Sequence, residues 1–147
     1  MNIDIADTGD IDSLAELLGI LFSQDIEFTP DFIKQKEGIA AILSDKNIGR
    51  IFVLRDGAVL VGMVSLLYSV STALGGKVAV LEDMFVRQEY RNRGCGSMLI
   101  EAALDYAKAN GLQRITLLTD EDNHGAQRFY LSHGFKRSTM IPMRRLL

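Results

Sequence analysis

Residues 81–98, LEDMFVRQEYRNRGCGSM, constrain this chain more than any other segment. An apolar strand pattern ends at Val86, a short polar link carries Arg91, and Arg91-x-x-Gly94-x-Gly96 opens directly into an amphipathic helical pattern. Strand, glycine turn and helix N-terminus in that order make an anion site. The first N–H groups of a helix have no intrahelical partner, and the helix dipole favours negative charge beside them. The ligand that suits such a site is a phosphate or pyrophosphate. The run has no Gly-x-x-x-x-Gly-Lys-Ser/Thr and lacks the third glycine of the dinucleotide fingerprint, so neither standard nucleotide loop is present. On the glycines alone, a ligand-free strand-to-helix turn reads equally well. The surrounding chain decides between the two.

That chain alternates helical and strand periods. Residues 2–5 read as a short first strand. Asp10 is placed to cap a helix whose apolar face is Ile11, Leu14, Leu17, Leu18 and Leu21. Thr29-Pro30 starts a second helix, with Phe32, Ile39, Ala40 and Leu43 on its buried side. Ile51–Leu54 and Ala58–Tyr68 form a hairpin about Asp56-Gly57, and Gly75-Gly76 turns the chain into a strand from Val78 to Val86. Ser97–Asn110 is a helix with Leu99, Ala102, Ala103 and Tyr106 on one face, stopped by Gly111. A short buried strand, Ile115–Leu118, precedes a short helix, Gly125–His133, ended by Gly134. The tail from Phe135 to Leu147 has room for one or two strands, with Pro142 arguing against an interior one. No linker, repeat or low-complexity segment divides residues 1–147, which read as a single domain. An antiparallel hairpin followed by a strand–helix–strand unit makes the class α+β with a mixed sheet.

Two segments resemble the GNAT superfamily of N-acetyltransferases, which move an acetyl group from acetyl-coenzyme A to an amine. Leu81–Val86 followed by Tyr90-Arg91-Asn92-Arg93-Gly94-Cys95-Gly96-Ser97 is similar to that family's pyrophosphate motif, Arg/Gln-x-x-Gly-x-Gly/Ala. Asn123-His124-Gly125-Ala126-Gln127-Arg128-Phe129-Tyr130, with His133-Gly134-Phe135, is similar to its later motif. The resemblance implies α/β/α-type layers: a central, mostly antiparallel mixed sheet between helices, with a V-shaped split between two parallel strands. It also implies acetyl-CoA as co-substrate. The N–H groups from Arg91 to Ser97 would hold the pyrophosphate, with Arg91 and Arg93 adding charge. Gly94 and Gly96 let the backbone approach closely. Asn92 stands where the family usually has glycine, and asparagine tolerates the left-handed conformation such a turn needs. The pantetheine arm would bond to main-chain groups of Met84, Phe85 and Val86, whose side chains belong to the core. Asn123, Ala126 and Phe129 would also line the coenzyme, although a helix N-cap is a nearly equal reading of Asn123.

Transfer needs a deprotonated amine, and a free alkyl amine has a pKa near ~10. A carboxylate, often through a water, takes that proton. Glu82 and Asp83 are adjacent on a strand and so point to opposite faces, which argues against a joint acid/base pair. Leu-Glu-Asp-x-Phe-Val resembles the polyamine-type acetyltransferases, which implies that Glu82 is the base. Asp83 reads as a capping or salt-bridging carboxylate. Tyr130, by the same resemblance, protonates the leaving thiolate, a phenol near ~10 donating to a thiol near ~8.5. His124 and His133 lack partners at metal-ligand spacing and read as exposed or capping. Cys95 reads as filler, since direct transfer needs no cysteine.

The remaining numbers exclude classes. A net charge of −3 argues against a nucleic-acid surface. No apolar run reaches membrane-spanning length, and MNIDIADTGDID lacks a secretory signal, so cytoplasm is the expected compartment. One cysteine excludes an internal disulfide and a cysteine-based metal cluster, and no metal is expected. Ser23–Phe28, acidic and partly apolar, together with Glu82 suits a small cationic amine, polyamine-like or amino-acid-like. It reads equally as a solvated loop. A protein or peptide N-terminus is the alternative acceptor. A non-catalytic acyl-CoA sensor and a plain interaction domain are the rivals from other classes. The apolar Thr139–Leu147 end leaves room for a homodimer.

Overall fold

The computed structural model describes residues 1–147. One five-stranded sheet runs in the order β1 (Asn2–Ile5), β2 (Gly49–Asp56), β3 (Val59–Ser71), β4 (Gly76–Val86), β5 (Ile115–Leu117). The first four strands pair antiparallel and β4 pairs with β5 in parallel. Helices α1 (Ile11–Ser23) and α2 (Phe32–Ser44) cover one face; α3 (Cys95–Ala109) and α4 (His124–Ser132) cover the other. No helix is long and apolar enough to cross a membrane.

Each face has its own core. Leu14, Leu17 and Leu18 of α1 and Ile39 of α2 meet Ile51, Val53, Met63 and Phe85. Leu99, Ile100 and Ala103 of α3 meet Phe52, Leu54, Val64, Leu66 and Leu81. Gly62 permits the second contact, because a Cβ there would lie 2.9 Å from Leu99 Cδ1 and 2.9 Å from the Phe85 carbonyl oxygen. Real side chains do not approach that closely.

Several elements differ from the sequence reading. Asp10 sits at the N-cap position of α1 but makes no capping bond there. Its carboxylate instead takes Arg55 Nη2 at 2.8 Å and the Asp7 N–H at 3.0 Å, and it is buried. Burial pushes that carboxyl up, but the Arg55 hydrogen bond, the Asp7 N–H and the Arg55 charge together leave it below the ordinary value. The second helix begins at Phe32, capped by Asp31, whose side chain accepts from Lys34 N–H at 3.1 Å. Thr29-Pro30 lies before it, and Phe32 is half exposed rather than buried. Gln35 takes the inward place and donates to the Ala15 carbonyl at 2.9 Å. β5 is half-buried and a residue shorter than expected. The tail forms no strand.

Candidate active site

The decisive geometry is where β5 leaves β4. The parallel rungs are Ala79–Ile115, Val80–Thr116 and Leu81–Leu117, and pairing stops there. β4 continues for five more residues, so from Glu82 to Val86 its β5-facing edge has no strand beside it. This is the V-shaped split, and Glu82 is the first residue past its apex.

The same five residues carry a bulge. Ser65 faces Glu82 and Met63 faces Phe85, so Asp83 and Met84 together oppose Val64. Asp83 sits at φ +53°, in the left-handed region. The bulge reverses the strand's alternation. Leu81 belongs to the core under α3, whereas Phe85 is 4% exposed in the core under α1 and α2. Met84 and Val86 pack on the α3 side. All three side chains are core or half-buried, as expected. The main-chain groups are less uniform. Arg87 N–H donates to the Val61 carbonyl at 2.8 Å, so antiparallel alternation turns Phe85, two residues earlier, toward β3 and Val86 toward the split. The Val86 carbonyl already accepts Arg91 Nε at 2.9 Å. Met84 and the Val86 N–H are therefore the groups left to a ligand, and Phe85 is not.

Beyond Val86 a single 3-10 turn, Gln88–Tyr90, leads into the glycine run. Asn92 adopts φ +60° and Gly94 φ +79°. The asparagine thus takes the left-handed conformation that its residue type tolerates. Gly94 is the N-cap of α3, and no side chain caps the helix. The N–H groups of its first turn, Cys95, Gly96 and Ser97, are left for an anion. The space over Gly96 is bounded by Phe129 and Met84, 3.4 Å and 3.6 Å from where a Cβ would stand. A backbone without Cβ, a bare helix start and unpaired strand edge lie along one path, which fits an extended thioester with a pyrophosphate at one end. Arg91 and Arg93 are partly committed to the turn itself. Arg91 stacks over Phe85 at 5.5 Å and Arg93 over Tyr90 at 5.8 Å from the ring centres, and neither pairs with a carboxylate. Cys95 is buried beneath the turn, its Sγ 3.7 Å from Met1 Sδ, a packing residue.

The second motif packs on the first. Asn123 caps α4, its side chain accepting from Ala126 N–H at 3.1 Å, so the N-cap reading holds for its carbonyl oxygen. Ala126 and Phe129 are half-buried on the side of α4 facing the sheet. Tyr130 lies edge-on between Phe129 (5.2 Å) and Phe135 (5.7 Å). Burial pushes its phenol up to about 12. A phenol held up in that way keeps its proton throughout the neutral range. His124 is exposed, as expected, and His133 ends α4. His133 does more than cap: its Nε2 meets Ser97 Oγ at 3.1 Å and its Nδ1 lies 3.8 Å from Glu101.

The two carboxylates at the split differ in a way sequence did not reveal. Glu82 is exposed and makes neither an ion pair nor a hydrogen bond. Asp83 is half-buried, and the expected salt bridge or cap is absent. Burial, and secondarily the neighbouring Glu82 charge, push it up to about 6. The signal that could have found it is the Glu-Asp pair itself, two like charges on a strand that must also bulge. The acidic Ser23–Phe28 link is exposed for the most part, and the tail partly neutralises it: Arg144 Nη1 meets Glu27 Oε2 at 2.5 Å.

The family model for the acetyltransferase (GNAT) family matches residues 12–135. A Bacillus subtilis N-acetyltransferase, YhfO, is 30% identical over 95% of this chain and 92% of its own. An aminoalkylphosphonate N-acetyltransferase of Salmonella typhimurium is 31% identical over 90% of this chain and 83% of its own. Among solved structures, an aminoglycoside acetyltransferase from a soil metagenome superposes with a TM-score of 0.82 at 19% identity, over 99% of this chain and 95% of that one. Fold, split sheet, glycine turn and relatives agree, and the chain belongs to the GNAT family as an acetyl-CoA-dependent N-acetyltransferase.

Proposed function

We propose that this enzyme acetylates a primary amine of a small molecule, polyamine-like or amino-acid-like, by direct transfer from acetyl-CoA. The observation that carries this reading is the position of Glu82, exposed at the first unpaired residue of the split. The Salmonella relative, named for an aminoalkylphosphonate, supports a small amine as acceptor. The first-turn N–H groups of α3, from Cys95 to Ser97, hold the pyrophosphate, with Arg91, Asn92, Arg93 and Gly94 shaping the turn. Met84 and Val86 offer main-chain groups to the pantetheine arm, and Ala126, Phe129 and the free amide nitrogen of Asn123 line its other side.

Direct transfer asks two things of the side chains. The amine must lose a proton before its lone pair can attack the acetyl carbon, and the departing sulfur must gain one. Glu82 accepts the first proton, directly or through a water, and Tyr130 supplies the second. Binding the amine and the thioester in one cleft makes the attack effectively unimolecular.

A screen of primary amines against acetyl-CoA, run with Glu82→Gln beside the native enzyme, tests the assignment. Glu82→Gln should lower kcat about tenfold or more at neutral pH, with less loss at high pH where free amine is abundant. An unchanged pH–rate profile removes Glu82 from the role. Acetylation of peptide N-termini and of no small amine would replace the acceptor class. The exposed Met140, Ile141 and Met143 of the tail fit self-association, which sedimentation of the full chain against a chain lacking residues 139–147 decides.

A further inference from the structure

Ser65 Oγ is the one buried side-chain polar atom that finds no hydrogen-bond partner. The residue is 1% exposed in the middle of β3. Shutting a hydroxyl from water without a partner costs about 1–3 kcal/mol. A serine in such a place needs an acceptor for its proton.

The register supplies one. Ser65 stands directly opposite Glu82 on β4 and opposite Ile51 on β2. Directly opposed residues of an antiparallel pair share a face, their Cβ atoms about 4.5–5.5 Å apart. Ile51 belongs to the core under α1 and α2, so Ser65 and Glu82 stand on that face together. Glu82 has no competing partner, and its carboxylate is free to turn inward along the row.

We propose that the Ser65 hydroxyl donates to the Glu82 carboxylate and holds it at the apex of the split. Ser65 is then a positioning residue for the reaction, and the inference rests on Glu82 as the base. A hydrogen bond from Ser65 to the ionised carboxylate favours that form. Few other charges act there. Asp83 is the immediate neighbour on β4, and Lys77 lies at the strand's far end. β3 and β5 carry no charged residue, and Tyr68 is the one titratable group on β3. On α1, Asp12 pairs with Lys36 and Glu16 with Arg87, and on α3 the first ionisable residue after Cys95, Glu101, lies beside His133.

The test is a carboxyl-carbon NMR titration of Glu82 in the full chain, native against Ser65→Ala. The variant should titrate higher, by about half a unit or more, a threefold weaker acid. Superimposable titrations overturn the contact whether or not Glu82 is the base. Kinetics with an aminoalkylphosphonate acceptor form the second arm. Ser65→Ala should lower kcat with KM for acetyl-CoA unchanged, and should add no loss in a Glu82→Gln background. An equal loss in both backgrounds means that Ser65 acts without Glu82, and the proposal fails. Full turnover by Glu82→Gln alone overturns the base assignment and leaves the NMR arm to decide the contact. Because the hydroxyl has no other partner, Ser65→Ala loses one hydrogen bond and should lower Tm at neutral pH by no more than a few degrees. A large drop in Tm would show a structural bond in its place.

Discussion

Ser97 Oγ and His133 Nε2 lie 3.1 Å apart, which ties the first turn of α3 to the residue that ends α4. The imidazole also meets the Phe129 ring edge-on at 4.8 Å. Tyr130 is one helical turn earlier, so the proposed phosphate-binding helix start and the proposed proton donor share a single clamp. His133→Ala removes one hydrogen bond and one aromatic contact. Stability should fall by about 1–2 kcal/mol, measured by urea unfolding. Acetyl-CoA should bind more weakly as α4 loses its seat, read by calorimetric titration.

Gly94 separates binding from folding. At φ +79° it favours glycine or asparagine, and a Cβ there meets no protein atom within 4 Å. Gly94→Asn therefore keeps the fold and fills the space in front of the α3 N-terminus. Affinity for acetyl-CoA should fall about tenfold or more, with Tm within a few degrees of native. Native affinity in the variant would move the anion site elsewhere.

Asp83 makes stability depend on pH in a defined direction. Its folded pKa of about 6 exceeds the ordinary carboxyl value, so the folded chain holds the proton more tightly than the unfolded one. The stability from this group is complete below ~4 and is lost as pH rises through about 6. Asp83→Asn should stabilise the protein at pH 8 by about 1–3 kcal/mol and have little effect at pH 4, where the native residue is neutral. Denaturant titrations at the two pH values give the comparison.

Tyr130→Phe should cut kcat without a matching loss of stability, because the hydroxyl has no hydrogen-bond partner in the fold to lose. With the native phenol held up to about 12, a fall in rate from Tyr130 ionisation lies well above pH 10. A basic limb at pH 10 that disappears in the variant would contradict the buried environment. Full turnover by Tyr130→Phe would remove it as the proton donor.

Local chemistry was enough for much of this protein. The hairpin at Asp56-Gly57, the left-handed Asn92, the helix after the glycines and a strand after Gly111 follow from turn residues and periodicity, which act over a few positions. The two motifs placed the chain in its family before any coordinate. Three things needed the tertiary structure. Asp10 was legible as a cap, yet Arg55, 45 residues away, takes its carboxylate. Asp83 was legible as a carboxylate, but its burial comes from a bulge that only the pairing of β4 with β3 produces. Ser65 carried no signal of its own, and it gains a meaning only when register sets it against Glu82. Spacing along a chain specifies which conformations are cheap, whereas desolvation and partner choice depend on what other segments bring to the same point in space.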